Sequence, residues 1–71
     1  MADPFPERLR YWRLQRGYSQ TQLSWRSEIT PTQISRLERG VQSPSLDTVK
    51  KLAGALDITV DDLIEPNGEA A

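Results

Sequence analysis

Residues 19–39 carry two helix-start signals too close together for anything but two short helices meeting at a steep angle. Ser19 followed by Gln22 reads as a capping box, the hydroxyl serving one end and the amide the other. Thr30-Pro31-Thr32-Gln33 repeats it, with Thr at the cap, Pro at the first helical position and Gln three residues on. Only the stretch from Ser27 to Ile29 is left between them. A connection that short forces a large crossing angle and lets the second helix project. Leu23, Ile29, Ile34 and Leu37 fall where they can pin the pair to a core. Pro31, Thr32, Gln33, Ser35, Arg36 and Arg39 are left for the outer face and flanks.

The rest of the chain reads as three more helices and no strand. Pro6 is expected to hold Phe5 extended and to open a first helix, which Gly17 closes. Ser45 caps a fourth helix with Asp47 in its first turn, where a negative charge complements the dipole. Thr59 with Asp62 opens a fifth. The expected core is Phe5, Leu9, Trp12, Tyr18, Leu23, Ile29, Ile34, Leu37, Leu46, Val49, Leu52, Ala53, Leu56, Ile58 and Leu63. The organisation expected is an arm at 1–5, one domain at 6–65 and a flexible tail at 66–71, rich in breakers.

Composition narrows the function. The 71 residues include no cysteine and no histidine, so the commonest metal ligands and the commonest general base are missing. No paired-carboxylate motif sits beside a cleft-forming element, and no catalytic residue, metal site or cofactor is expected. No apolar run exceeds two residues, and the charged N-terminal stretch does not read as a signal peptide. A cytoplasmic protein without a membrane partner is the expectation, and not an enzyme. The net charge of −1 hides a dipole. Residues 8–39 hold seven arginines against Glu28 and Glu38, a net of +5, whereas residues 47–71 carry a net of −4. Arginine suits bidentate phosphate and guanine contacts, glutamine reads adenine, and a threonine methyl meets thymine. A solvated charged surface is the plainer reading of the same arginines.

Gly17-Tyr18-Ser19-Gln20, Leu23, Ile34-Ser35-Arg36-Leu37-Glu38-Arg39-Gly40, Pro44-Ser45-Leu46, Leu56-Asp57-Ile58 and Asp62-Leu63 together resemble the xenobiotic-response-element / lambda Cro–repressor type of helix-turn-helix DNA-binding family. The likeness covers residues 5–65. It implies an all-α, five-helix, lambda-repressor-like domain that places its third helix in the major groove. It also implies a homodimer on a near-palindromic operator in double-stranded DNA, acting as a repressor or controller in bacteria or phage. Restriction–modification controllers, phage repressors and antitoxins all fit. Carried over by position, base reading falls to Thr32, Gln33 and Arg36, since Pro31 has no donor. Phosphate contacts fall to Ser19, Gln20, Arg39, Gln42 and Ser43. Arg13 and Glu38 match the family's ion pair, which could also aim Arg13 at a phosphate.

Two positions depart from the family. Glu28 stands at the turn where a glycine with positive φ is usual, at roughly 1 kcal/mol unless the turn rearranges. Trp25 replaces an exposed polar residue, and is expected to lie partly buried against a neighbouring helix or to dock a protein partner. Gln33 has a duller role available, closing the capping box with Thr30. Val60, Asp61 and Ile64 read as a two-fold interface on helix five, or as late core. The competing function is an antitoxin-like interaction module that binds a partner and autoregulates its operon.

Overall fold

Four of the five helices start where a side chain satisfies a free backbone N–H, and the first starts on Pro4 without such a cap. The computed structural model describes residues 4–64, in the order α1 Phe5–Gln15, α2 Gln20–Ser27, α3 Pro31–Glu38, α4 Leu46–Leu56 and α5 Val60–Ile64. Ser19 closes a complete capping box on α2, accepting from the Gln22 N–H at 3.0 Å while Gln22 Oε1 accepts from the Ser19 N–H at 2.8 Å. Ser45 accepts from the Thr48 N–H at 3.1 Å, and Thr59 and Asp62 reciprocate at 3.1 Å in each direction. No strand occurs among the described residues. The expected arm residues 1–3 and everything from 65 to 71 lie outside them.

Leu9, Leu23, Ile34, Leu37, Leu52, Leu56 and Leu63 form a fully buried centre, joined by Phe5, Ile29, Val49 and Ala53. α2 lies on α3 and α4, α1 on α3 and α5, and α4 on α5. Burying a large apolar side chain contributes roughly 1.5–3 kcal/mol, so this cluster holds the five helices together. Trp12, Tyr18 and Ile58 are half-buried at its rim.

Three expectations are corrected. Phe5 is helical, not extended: α1 begins one residue ahead of Pro6, and burial of the ring outweighs the preference a following proline imposes. Leu46 is 63% exposed although it shares a stripe with buried Val49 and Ala53, because it is the first residue of α4 and lies at the end of that stripe. Trp25 is 74% exposed, because α2 turns Leu23, Ser24 and Ser27 inward instead.

Two non-glycine residues end helices in the left-handed region, Glu28 (φ 66°) after α2 and Asp57 (φ 60°) after α4. The turn after α2 therefore keeps the family's backbone and Glu28 bears its strain. Glu28→Gly is expected to raise stability by about 1 kcal/mol. In a domain of this size that lifts the thermal midpoint by about 4–8 °C, read by calorimetry. An unchanged midpoint would show that Glu28 is not strained.

Candidate nucleic-acid interface

The outward face of α3 follows from its inward one. Ile34 and Leu37 are fully buried. At 3.6 residues per turn, Thr32, Arg36 and Arg39 then fall on the opposite stripe, with Gln33 on the flank. Thr32, Arg36 and Arg39 are exposed and Gln33 is half-buried. The four side chains sought from the sequence thus share one side of one helix. Thr30 caps this helix, its Oγ1 accepting from the Gln33 N–H at 3.1 Å. The return bond seen at Ser19 has no counterpart here, so the Gln33 amide is not held by the cap. Arg36 and Arg39 have no ion-pair or hydrogen-bond partner for their side chains among the described residues.

Behind this face a charged strut sets the angle of the helices. Arg13 at the end of α1 makes a two-pronged bond to Glu38 at the end of α3, Nε to Oε2 at 2.6 Å and Nη2 to Oε1 at 3.0 Å. Arg13 Nη1 also donates to the Tyr18 carbonyl at 2.9 Å, just before α2. Gln20, opening α2, donates from Nε2 to Glu38 Oε1 at 3.2 Å. The strut thus joins α1, α2 and α3 at one point. Both charged side chains are nearly enclosed, at 11% and 6% exposed. The expected pairing is present. It draws Arg13 away from the phosphate role also given to it, because three of its N–H groups serve the interior. Gln20 is half-buried, with one amide N–H engaged in the same network. Ser19 Oγ accepts in the capping box and stays exposed, so its hydroxyl can still donate outward.

Three of the other four arginines are engaged by partners that no local sequence feature announces. Arg16 donates from Nε to the Leu56 carbonyl at 2.7 Å and from Nη2 to the Asp57 carbonyl at 3.3 Å, satisfying the end of α4 where a cation also meets the dipole. Arg8 Nε and Trp12 Nε1 both donate to the Asp62 carbonyl at 3.2 Å, tying α1 to α5. Arg26 lies over the Tyr18 ring at 4.9 Å. Arg8, Arg13 and Arg16 are therefore structural, while Arg36 and Arg39 remain with the exposed face of α3. The segment that follows α3 adds half-buried Gln42 and exposed Ser43. With Arg39 they line a cleft of about 360 Å³ against Pro6 and Glu7 of α1. Nothing in the local sequence of Glu7 links it to this segment, more than thirty residues away.

On α5, Asp61 and Ile64 are exposed while Val60 packs against the core. No group of three or more acidic residues among those described is placed to hold a metal. No helix among them is long and apolar enough to cross a membrane.

Comparison with known proteins identifies the family and the fold. The helix-turn-helix family model matches residues 9–63. The HTH-type transcriptional regulator DdrOP3 of Deinococcus deserti is 42% identical over 59 residues, which are 83% of this chain and 46% of that protein. The chain thus spans about half the length of this relative. The restriction-modification controller protein C.AhdI from Aeromonas hydrophila superposes with a TM-score of 0.83 at 38% identity, over 86% of this chain and 92% of that one. SinR, the master regulator for biofilm formation, solved in complex with DNA, superposes with a TM-score of 0.82 at 27% identity, over 86% and 98%.

Proposed function

Because the chain belongs to the helix-turn-helix family, we propose that it is a sequence-specific DNA-binding transcriptional regulator, working without catalysis in the cytoplasm. Thr32, Gln33 and Arg36 read base edges from the major groove. Arg39, Gln42, Ser43, Ser19 and Gln20 position the domain on phosphates, which fix register without reading sequence. One observation carries this: the outer side of α3 is open, and its Gln33 amide and Arg36 guanidinium have no partner among the described residues although they sit on a helix packed through Ile34 and Leu37. The test is selection of bound duplexes from a random pool. Enrichment of a defined motif is expected, with affinity falling steeply as salt rises. Recovery of unenriched DNA would end the reading as a sequence-specific regulator.

A homodimer on a pseudo-palindromic site belongs to the same reading. One small domain touches few base pairs, and a second copy doubles them, spacing two reading helices about 34 Å apart. Exposed Ile64 and Asp61 on α5 suit such a seam, with Val60 beneath. Sedimentation is expected to show a concentration-dependent dimer that Ile64→Asp weakens. Monomer alone at high micromolar concentration would remove the dimer off DNA.

A second reading, an interaction module that also autoregulates its operon, draws on Trp25, which stands 74% exposed beside Tyr18, Gln22 and Arg26 around an opening of about 340 Å³. A stoichiometric protein that co-purifies and is lost with Trp25→Ala favours it.

A further inference from the structure

Resting on the DNA reading above, we infer that Glu7 is a brake on backbone binding: its carboxylate faces the same cleft as the phosphate-contacting side chains and lowers affinity for any duplex. The cleft forms where the first turn of α1 meets the segment after α3. Gly40 makes the approach: a Cβ there would stand 3.6 Å from Pro6 Cγ, in ordinary van der Waals contact. Pro6 and Glu7 therefore form one wall, and Arg39, Gln42 and Ser43 the other.

The charges in this cleft do not cancel by pairing. Glu38 at its back is 6% exposed and answered by Arg13 at 2.6 Å. Glu7 and Arg39 are both exposed, and neither has an ion-pair or hydrogen-bond partner among the described residues. A phosphodiester drawn to Arg39 thus enters a space that also holds a carboxylate with no ion-pair partner among the described residues. Like charges a few ångströms apart repel measurably even in water, and salt screens the effect. The consequence is uniform across sequences, since a phosphate carries no base identity. Glu7 lowers non-specific and specific binding together, so it sets the overall affinity and leaves the ratio between sites unchanged.

The test measures anisotropy of a labelled 20-bp random-sequence duplex with the full chain at 0.1 M salt. Glu7→Gln is expected to tighten binding about threefold. Glu7→Lys is expected to tighten it about tenfold and to steepen the log–log salt slope by about 0.9, as one more phosphate contact does. Glu7→Asp keeps the charge at the helix start and is expected to match the wild type. Asp57→Asn makes the same change in net charge elsewhere. Asp57 lies beside Arg16, nine residues and about 14 Å along α1 from Glu7, beyond the ~10 Å screening length. It is expected to leave affinity unchanged. Wild-type affinity in Glu7→Gln, or an equal gain in Asp57→Asn, would overturn the proposal and leave the DNA reading standing. A wild-type chain that fails to bind the duplex removes the DNA reading and the brake with it.

Discussion

Glu38→Ala is expected to cost about 3–5 kcal/mol of folding stability. The side chain is 6% exposed and accepts three hydrogen bonds, two from Arg13 and one from Gln20. Removing it leaves a guanidinium, itself 11% exposed, without its counter-charge. An enclosed ion pair gains little over a well-packed apolar pair, but half of one is strongly unfavourable, because the remaining charge has lost both water and partner. Arg13→Ala is expected to cost a similar amount, since it strands Glu38 with the Gln20 amide alone. The double change Arg13→Leu/Glu38→Leu is expected to recover much of the loss. A small domain has roughly 5–10 kcal/mol in all, so either single change removes a large fraction of its stability. Urea unfolding followed by tryptophan fluorescence reads all three. Single-variant losses below 1 kcal/mol would show that the strut does not hold α1, α2 and α3 together.

Arg36→Ala is expected to weaken binding to a selected duplex by about 1–3 kcal/mol per base read, roughly 5- to 150-fold, with the domain still folded. The side chain is exposed and bonds nothing within the described chain, so truncation removes no internal support. Gln33→Ala is expected to fall in the same range. Its backbone N–H stays on Thr30, and the cap survives the loss of the amide. On a random duplex the two should part: Gln33→Ala leaves affinity nearly unchanged, and Arg36→Ala costs only its charge. Lys50→Ala, on α4 behind the motif, serves as the control, with little effect on either duplex. If Arg36→Ala and Gln33→Ala both keep wild-type binding to the selected site, α3 is not the reading helix.

The helices were legible because their boundaries are local. Ser19 with Gln22, Thr30 before Pro31, Ser45 and Thr59 with Asp62 all sit within one turn of the helix they open, and each forms its cap. The core was legible where apolar residues recur at helical spacing, as at Val49, Leu52 and Leu56. It failed at Leu46, which keeps the helical spacing to Val49 and Ala53 but stands at the first position of α4, where spacing does not reveal that the stripe is no longer covered. Trp25 misled for a related reason: size argues for burial, but the serines beside it let α2 pack closely by another face. The exposed face of α3 could be read from Ile34 and Leu37 alone, since the opposite stripe of a packed helix must meet solvent.

From sequence alone came the five helices, most of their ends and the residues offered to a duplex, because capping and periodicity act over three or four positions. Which charges remain free to meet DNA was decided only by tertiary structure. Arg13 reaches Glu38 across 25 residues, Arg16 reaches Leu56 across 40 and Arg8 reaches Asp62 across 54. An arginine that ends a distant helix looks the same in sequence as one that grips a phosphate. The difference lies in which carbonyl or carboxylate the packed core brings within hydrogen-bond distance of it, 2.6–3.2 Å here.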